Sequence, residues 1–246
     1  MNVMEASELY DPEFRELIKS KNPTIIIPVG SLEQHGAHLP ITTDSDIVTE
    51  IASRLAKKCD FISFPTISYG ISYEHEPLFN ISIQSRNLRG FLRDIIMNNY
   101  HTCWKIIFLN GHHGNVESLN KLRKTMNRDY LEPYGYAPVS CYSYWHFMKH
   151  EFDHAGFVET SIMLAISDKV KMKNAKKGLI TKDLSEKERK RINKLSTEPG
   201  GFPKVAKNGV WGDPTGATKK DGEKFLAEII RNLAKYWQES MDMLET

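Results

Sequence analysis

Thr24-Ile25-Ile26-Ile27-Pro28-Val29 runs directly into Gly30-Ser31-Leu32-Glu33-Gln34-His35-Gly36. The first half is short, β-branched and apolar, the pattern of a strand buried on both faces. The second half is polar and flanked by glycine. Lys105-Ile106-Ile107-Phe108-Leu109, followed by Asn110-Gly111-His112-His113-Gly114-Asn115, repeats the arrangement and is the clearest buried strand. Phe61-Ile62-Ser63-Phe64-Pro65 and residues 137–142 are further strand candidates. Helical periodicity fills the intervals. Residues 46–58 carry Ile47, Ile51 and Leu55, and residues 88–100 carry Leu88, Phe91, Leu92, Ile95 and Ile96. Residues 115–128, 158–166 and 218–237 also read as helices. Strand–helix alternation of this kind predicts an α/β fold, with a mostly parallel sheet covered by helices on both faces.

The chain has 246 residues, a length that suits one large domain or two small ones. With 40% hydrophobic and 26% charged residues it has the composition of a globular protein, not a disordered one. The formal charge of +2 is too small to argue for nucleic acid or an acidic membrane surface. No apolar run approaches the ~20 residues of a membrane span, and no secretory signal is visible at the N-terminus. Cys59, Cys103 and Cys141 are few and widely spaced. They predict neither a disulfide framework nor a thiolate zinc site, and a cytoplasmic location is the expectation. Residues 182–194 read as a basic, solvated helix. Residues 196–217, rich in Gly and Pro, read as a long ordered loop.

Candidate chemistry gathers in three places. After the first strand, Glu33 and His35 point the same way if the chain is still extended, and Asp44 follows at a plausible N-cap of the next helix. A carboxylate and an imidazole converging on one point hold divalent metals. The competing reading makes Glu33 and His35 solvated loop residues and Asp44 a simple cap. After the strongest strand, His112 is a second candidate ligand, and His113 is either substrate-facing or structural. Ligands in open α/β sheets bind beyond the carboxyl ends of strands, where both clusters fall. The third cluster is Asp153-His154-Ala155-Gly156-Phe157-Val158-Glu159. Here Asp153 is placed to hydrogen-bond His154 and hold its tautomer, with Glu159 in the first helical turn. The alternative is an Asp/Gly helix start with a surface glutamate. Taken together, Glu33, Asp44 and Glu159 bring three negative charges, which two divalent ions and one bridging hydroxide neutralise. This favours a dinuclear site over a mononuclear one.

These residues resemble the creatininase (creatinine amidohydrolase) family. The match covers residues 28–36, Leu39-Pro40 with Thr43-Asp44, Asn110-Gly111-His112 with Gly114-Asn115, and His154-Ala155-Gly156 with Glu159-Thr160-Ser161. Residues 209–218 also match. The resemblance implies a single three-layer α/β/α domain over residues 1–246 and a dinuclear centre ligated by Glu33, His35, Asp44, His112 and Glu159, with Asp44 bridging. It implies Zn2+ as the metal, with Mn2+ or Fe2+ as alternatives, and a homohexamer. It makes His154 the proton-transfer residue, which Asp153 orients. The activity implied is hydrolysis of a non-peptide C–N bond in a small-molecule amide, either a cyclic amide or a formamide. The alternatives are a peptidase acting on a modified precursor peptide, like the mycofactocin relatives, and a non-catalytic metal-binding relative.

Departures from the family pattern are also legible. Creatininase has a Tyr-Glu pair after the second-motif histidine. His113 and Gly114 stand there in this chain, so a metal-centre carboxylate is expected to be missing. Leu78-Phe79-Asn80 replaces the common Pro-Gly-Thr ahead of Ile81-Ser82 in a pocket-shaping stretch. Asn80, Ser82, His113 and Trp145 are therefore the expected substrate-binding residues. Trp145 resembles one of the two lid tryptophans of creatininase, whereas the other falls near His150. Creatinine itself is a poor fit as substrate.

Overall fold

The structure, a computed structural model, describes residues 4–21, 23–99, 105–134 and 139–242. Its centre is a parallel sheet in the order β1-β3-β2-β4-β5. The strands are β1 (Met4–Glu5), β2 (Thr24–Val29), β3 (Ile62–Ser63), β4 (Lys105–Asn110) and β5 (Val139–Ser143). The helices are α1 (Asp11–Lys21), α2 (Thr43–Cys59), α3 (Ser85–Asn99), α4 (Val116–Tyr134), α5 (Phe157–Ile166), α6 (Glu186–Ser196), α7 (Phe202–Val205) and α8 (Lys219–Asp242).

The side-chain alternation of the two central strands builds the layers. Ile25, Ile27, Val29, Ile106 and Phe108 pack with Leu88, Leu92 and Ile96 of α3 and Leu119, Leu122 and Met126 of α4. Ile26, Ile107 and Leu109 point the other way, into α2, α5 and α8 through Ile47, Ile51, Leu55, Val158, Ile162, Leu226 and Leu233. The arrangement is the three-layer α/β/α sandwich that strand–helix alternation predicts. Each such fully buried aliphatic side chain contributes roughly 1.5–3 kcal/mol.

Register decides where the polar segments go. Val29 pairs with Asn110, so β2 and β4 end level with each other. The Gly30 and Gly111 turns therefore leave the sheet side by side, and the Gly111 N–H donates to Val29 O at 2.9 Å. The start of α2 presses on both turns. A Cβ at Gly30 would lie 2.7 Å from Ser45 Cα, and one at Gly111 would lie 2.7 Å from Asp44 O. Glycine at these positions is what lets α2 reach the rim.

Several element boundaries differ from the sequence reading. The helix expected over 46–58 begins at Thr43, with Thr42 as its cap residue, so Asp44 lies inside the first turn and is not its N-cap. The helix expected over 115–128 starts at Val116, after a 3₁₀ turn (His113–Asn115), and continues to Tyr134. The strand expected over Phe61–Pro65 shrinks to Ile62–Ser63. The 196–217 loop contains α7 and a 3₁₀ turn (Pro214–Gly216). Trp211 ties this loop down, donating its N–H to His154 O at 2.8 Å and accepting from His154 N–H at 3.0 Å. The segment before β2, to which the sequence reading assigns no element, holds β1 and α1, the latter carrying Phe14, Leu17 and Ile18 at helical spacing. Cys59 and Cys141 are free thiols, whereas Cys103, Tyr100, Ala137 and Pro138 lie outside the described residues. Among the described residues no helix is long and apolar enough to cross a membrane.

Candidate metal centre

Three chain segments meet at this rim. Glu33 and His35 come from the turn after β2, where the Glu33 N–H donates to Ile41 O at 3.1 Å and the chain pairs briefly with Asn80. Asp44 comes from the first turn of α2, His112 from the turn after β4, and Glu159 from the first turn of α5. Glu33, His35, Asp44, His112 and Glu159 are all at most 4% exposed.

Asp44 is the hinge of the arrangement. Its Oδ1 lies 3.2 Å from His35 Nε2 and its Oδ2 lies 3.0 Å from His112 Nδ1. Glu33 Oε2 sits 3.3 Å from the same His112 nitrogen and accepts from the Ser31 hydroxyl at 3.0 Å. On the far side, Glu159 Oε2 is 3.6 Å from His35 Nε2 and accepts from the Ala155 N–H at 2.6 Å. His112 Nε2 is 2.7 Å from Ile71 O, so that nitrogen carries a proton and Nδ1 is the one that faces Asp44 and Glu33. One carboxylate thus addresses two imidazoles with separate oxygens.

Electrostatics reflects the crowding. Burial opposes charge on His35, but Asp44, Glu159 and Glu33 outweigh it and push the imidazole from 6.5 to about 10. His112 is likewise held well above its ordinary value by Glu33, Asp44 and Glu74 against the effect of burial. Burial would raise the Glu33 carboxyl, yet the imidazoles of His112 and His75 hold it well below the usual range. Glu159 is pushed up to about 8, first by burial, with Asp44 and Asp153 adding to the effect. Protons here occupy positions that cations would take. Glu33 Oε1 and Asp44 Oδ2 are buried with no donor aligned on them. A buried, unsatisfied anionic oxygen is costly unless a cation or donor meets it. Imidazole and carboxylate donors suit zinc, manganese or iron. Ligand-type atoms converge within 4.8 Å in four overlapping groups among the described residues, including Glu33 with His35 and Asp44, and His35 with His154 and Glu159. The residues present therefore fit divalent cations.

His154 lies at the mouth. Its Nδ1 is 3.8 Å from Glu33 Oε1 and its ring lies 4.2 Å from that of His35, tilted by 33°. Burial, His35 and His75 push its pKa well below the ordinary value, which favours the neutral ring. The expected partner Asp153 is engaged elsewhere. Its carboxylate accepts from Val158 N–H at 2.9 Å and Glu159 N–H at 3.3 Å, capping α5. Among the described residues Asp153 makes no hydrogen bond to the His154 ring. Gln34 holds the imidazole instead. Its amide nitrogen lies 3.1 Å from His154 Nε2 and 3.0 Å from His75 Nδ1, while its Oε1 accepts from Gly36 N–H.

A family profile named Creatininase (creatinine amidohydrolase) matches residues 7–237. The mycofactocin precursor peptide peptidase of Mycolicibacterium smegmatis is 31% identical over 93% of this chain and 91% of its own length. The chain belongs to the creatininase family. The Mycobacterium ulcerans peptidase of the same name is 34% identical over 85% of the chain and 82% of its own. Creatinine amidohydrolase of Pseudomonas putida is 26% identical over 65% of the chain and 70% of its own. Among solved structures, a creatininase crystal structure superposes with a TM-score of 0.79 at 22% identity, covering 98% of each chain. Solved creatininases include a Zn–Zn type and a manganese form.

The five residues that the creatininase resemblance singles out as ligands are brought to one place, but the expected substrate contacts are divided. A cavity of about 380 Å³ opens from the centre and is lined by His113, Trp145, Phe152, His154, Phe202 and Trp211, with Asn193, Ser196 and Thr197 at its outer wall. His113 stacks on Trp145 at 6.1 Å and 25°. Asn80 and Ser82 do not line this cavity. The Asn80 side chain donates to Leu78 O at 3.1 Å, and Ser82 Oγ accepts from the Ser72 N–H at 2.9 Å, so both brace their own loop. The basic helix α6 is solvated along most of its length, but its C-terminal end forms a cavity wall.

Sequence reasoning missed Glu74 and His75, in a 3₁₀ turn (Tyr73–His75). His75 Nε2 is 3.0 Å from Glu33 Oε1, and Glu74 Oε1 is 3.5 Å from His112 Nε2. A second Glu-His pair was legible at 74–75. No buried strand precedes it, so it carries no rim signal.

Proposed function

We propose that this chain, as one domain over residues 1–246, is a metal-dependent amidohydrolase that cleaves a non-peptide C–N bond in a small-molecule amide. The observation that carries the reading is the split Asp44 carboxylate, with one oxygen toward His35 and the other toward His112. This is the arrangement a residue bridging two cations needs. Glu33 and His112 would hold one ion, and His35 and Glu159 the other. Zn2+ is favoured, with Mn2+ or Fe2+ as alternatives. When bound, such ions supply Lewis acidity and acidify a water toward neutral pH.

The remaining work falls to the chain itself. His154 takes and returns a proton at Nδ1, the nitrogen facing Glu33 and not tied to Gln34. Its low basicity keeps it neutral at the start, and general acid help to a departing nitrogen is worth roughly 10²–10⁴-fold. Asp153 fixes the start of α5 and so the position of Glu159. Trp145, His113 and Phe152 offer flat faces to a planar amide and keep water away from it. Among the described residues lining the cavity there is no Lys or Arg. With several carboxylates behind it, the cavity suits uncharged or cationic amides over phosphorylated or carboxylate-bearing ones. A cytoplasmic setting and a homo-oligomer belong to the same proposal, on the free thiols and the family resemblance.

A second reading, a peptidase acting on a modified precursor peptide, is favoured by the mycobacterial relatives at 31% and 34% identity. Metal-loaded protein offered cyclic amides, formamides and short peptides separates the two. Release of ammonia, formate or a ring-opened acid supports the first, and cleavage of peptides alone supports the second. Full metal occupancy with no turnover of any of these makes the chain a non-catalytic relative.

A further inference from the structure

The turn carrying Glu74 brings to the centre a carboxylate that the strand-end motifs do not account for. Glu74 is 8% exposed, a position glutamate rarely takes without a compensating partner. Its neighbours of opposite polarity are imidazoles. Oε1 lies 3.5 Å from His112 Nε2 and 4.0 Å from His75 Nε2. The first of these nitrogens already serves Ile71 O at 2.7 Å, and the second is beyond hydrogen-bond reach at 4.0 Å. The Glu74 charge is therefore poorly met by the protein alone.

Two further observations point into the same corner. Glu33 is fully buried, and its Oε1 has no aligned donor. Ligand-type atoms of Glu33, Glu74 and His112 all lie within 4.8 Å of one another. The neighbouring backbone is shaped to leave room. A Cβ at Gly114 would collide with Ile71 O, lie 2.5 Å from His112 Nε2 and come within 3.0 Å of Glu74 Oε1. A side chain at 114 would meet Ile71 O first, then the His112 ring and the Glu74 carboxylate, so glycine is what lets these three come together.

We propose that Glu74 is a ligand of the metal centre, joining Glu33 and His112 around one ion. The inference rests on the two-metal reading above and adds to it an asymmetry. The His112 side gains a carboxylate that the His35–Glu159 side lacks, so it is the harder site and the better match for an oxygen-preferring cation such as Mn2+.

The experiment is Mn2+ titration of metal-free full-length protein, with bound metal counted by elemental analysis and site geometry followed by electron paramagnetic resonance. Wild type is expected to bind two ions. Glu74→Gln, which keeps shape and removes charge, should weaken one site by more than the roughly 10–100-fold that loss of a hydrogen-bond partner behind a ligand costs, change the manganese spectrum and leave the other site intact. Glu159→Gln should weaken the opposite site. Glu76→Gln, an exposed neighbour, should bind both ions as wild type does. Wild-type affinity at both sites in Glu74→Gln overturns the proposal. A wild type that binds a single ion sinks the two-metal reading instead, and Glu74 then stands or falls on whether that ion is weakened in Glu74→Gln. Should Glu74→Gln not fold, judged by its unfolding transition, Glu74→Asp withdraws the carboxylate by one methylene and is read by the same two outcomes.

Discussion

Metal binding to this protein should expel protons, and the structure says roughly how many. In the metal-free centre His35 is pushed from 6.5 to about 10, where burial opposes charge but Asp44 and Glu159 prevail. Glu159 is pushed from 4.5 to about 8, chiefly by burial. At pH 7.5 His35 is therefore protonated almost completely and Glu159 mostly. Both must lose the proton before either can hold a cation. The two shifts have the same sign, with folded values above the ordinary ones. Their contribution to the metal-free fold is fully present at low pH. It is lost as pH rises through about 8 for Glu159 and about 10 for His35. For His35 the span corresponds to about 5 kcal/mol. Metal affinity must move the opposite way. Each displaced proton gives tenfold per pH unit, about 1.4 kcal/mol, so with one to two protons displaced at the His35–Glu159 site affinity there should climb roughly 10- to 100-fold between pH 7 and 8, while the other site displaces the proton that Glu33 and Asp44 hold on His112. Calorimetric titration with Mn2+ in two buffers of different ionisation heat counts the protons directly. Unfolding temperatures with and without metal at the two pH values give the stability side. Metal binding without proton release, or a metal-induced rise in unfolding temperature identical at pH 7 and pH 8, would refute the reasoning.

Other expectations are narrower. His154→Ala should keep its metal content and lose roughly 10²–10⁴-fold in kcat; turnover at the wild-type rate with metal in place removes His154 from the reaction. Asp153→Ala should lower stability by about 1 kcal/mol through loss of the α5 cap. Urea unfolding reads this, and an unchanged midpoint would mean the cap is replaced by solvent. Gly114→Ala should destabilise the metal-free fold by ~1–3 kcal/mol, because its methyl group meets Ile71 O. A thermal midpoint equal to wild type would show that the turn relaxes freely.

The sequence alone determined the layers and the location of the chemistry. Unbroken β-branched runs at 24–29 and 105–110 can satisfy both faces only inside an α/β sandwich, and polar Gly-flanked segments directly after such strands must emerge at one rim. Glu33, His35 and His112 were legible for that reason, since strand ends fix the nearby side chains. Asp44 and Glu159 were legible as residues at helix starts, where the residues alone read equally as a cap and a surface glutamate, and the creatininase resemblance is what marked them as ligands. The tertiary structure decided what local pattern does not encode. Asp44 reads in sequence as a cap, but the press of α2 on Gly30 and Gly111 turns its carboxylate inward between two imidazoles. Asp153 adjoins His154 in sequence, yet its carboxylate goes to the free N–H groups of α5, and Gln34 takes over the imidazole. Glu74 and His75 reach the centre across a loop with no periodic signal, and Asn80 and Ser82 in the same loop turn away from the cavity. Residues joined only through the folded rim leave no spacing in the chain, because their separation is set by packing between layers and not by the rise of a strand or the turn of a helix.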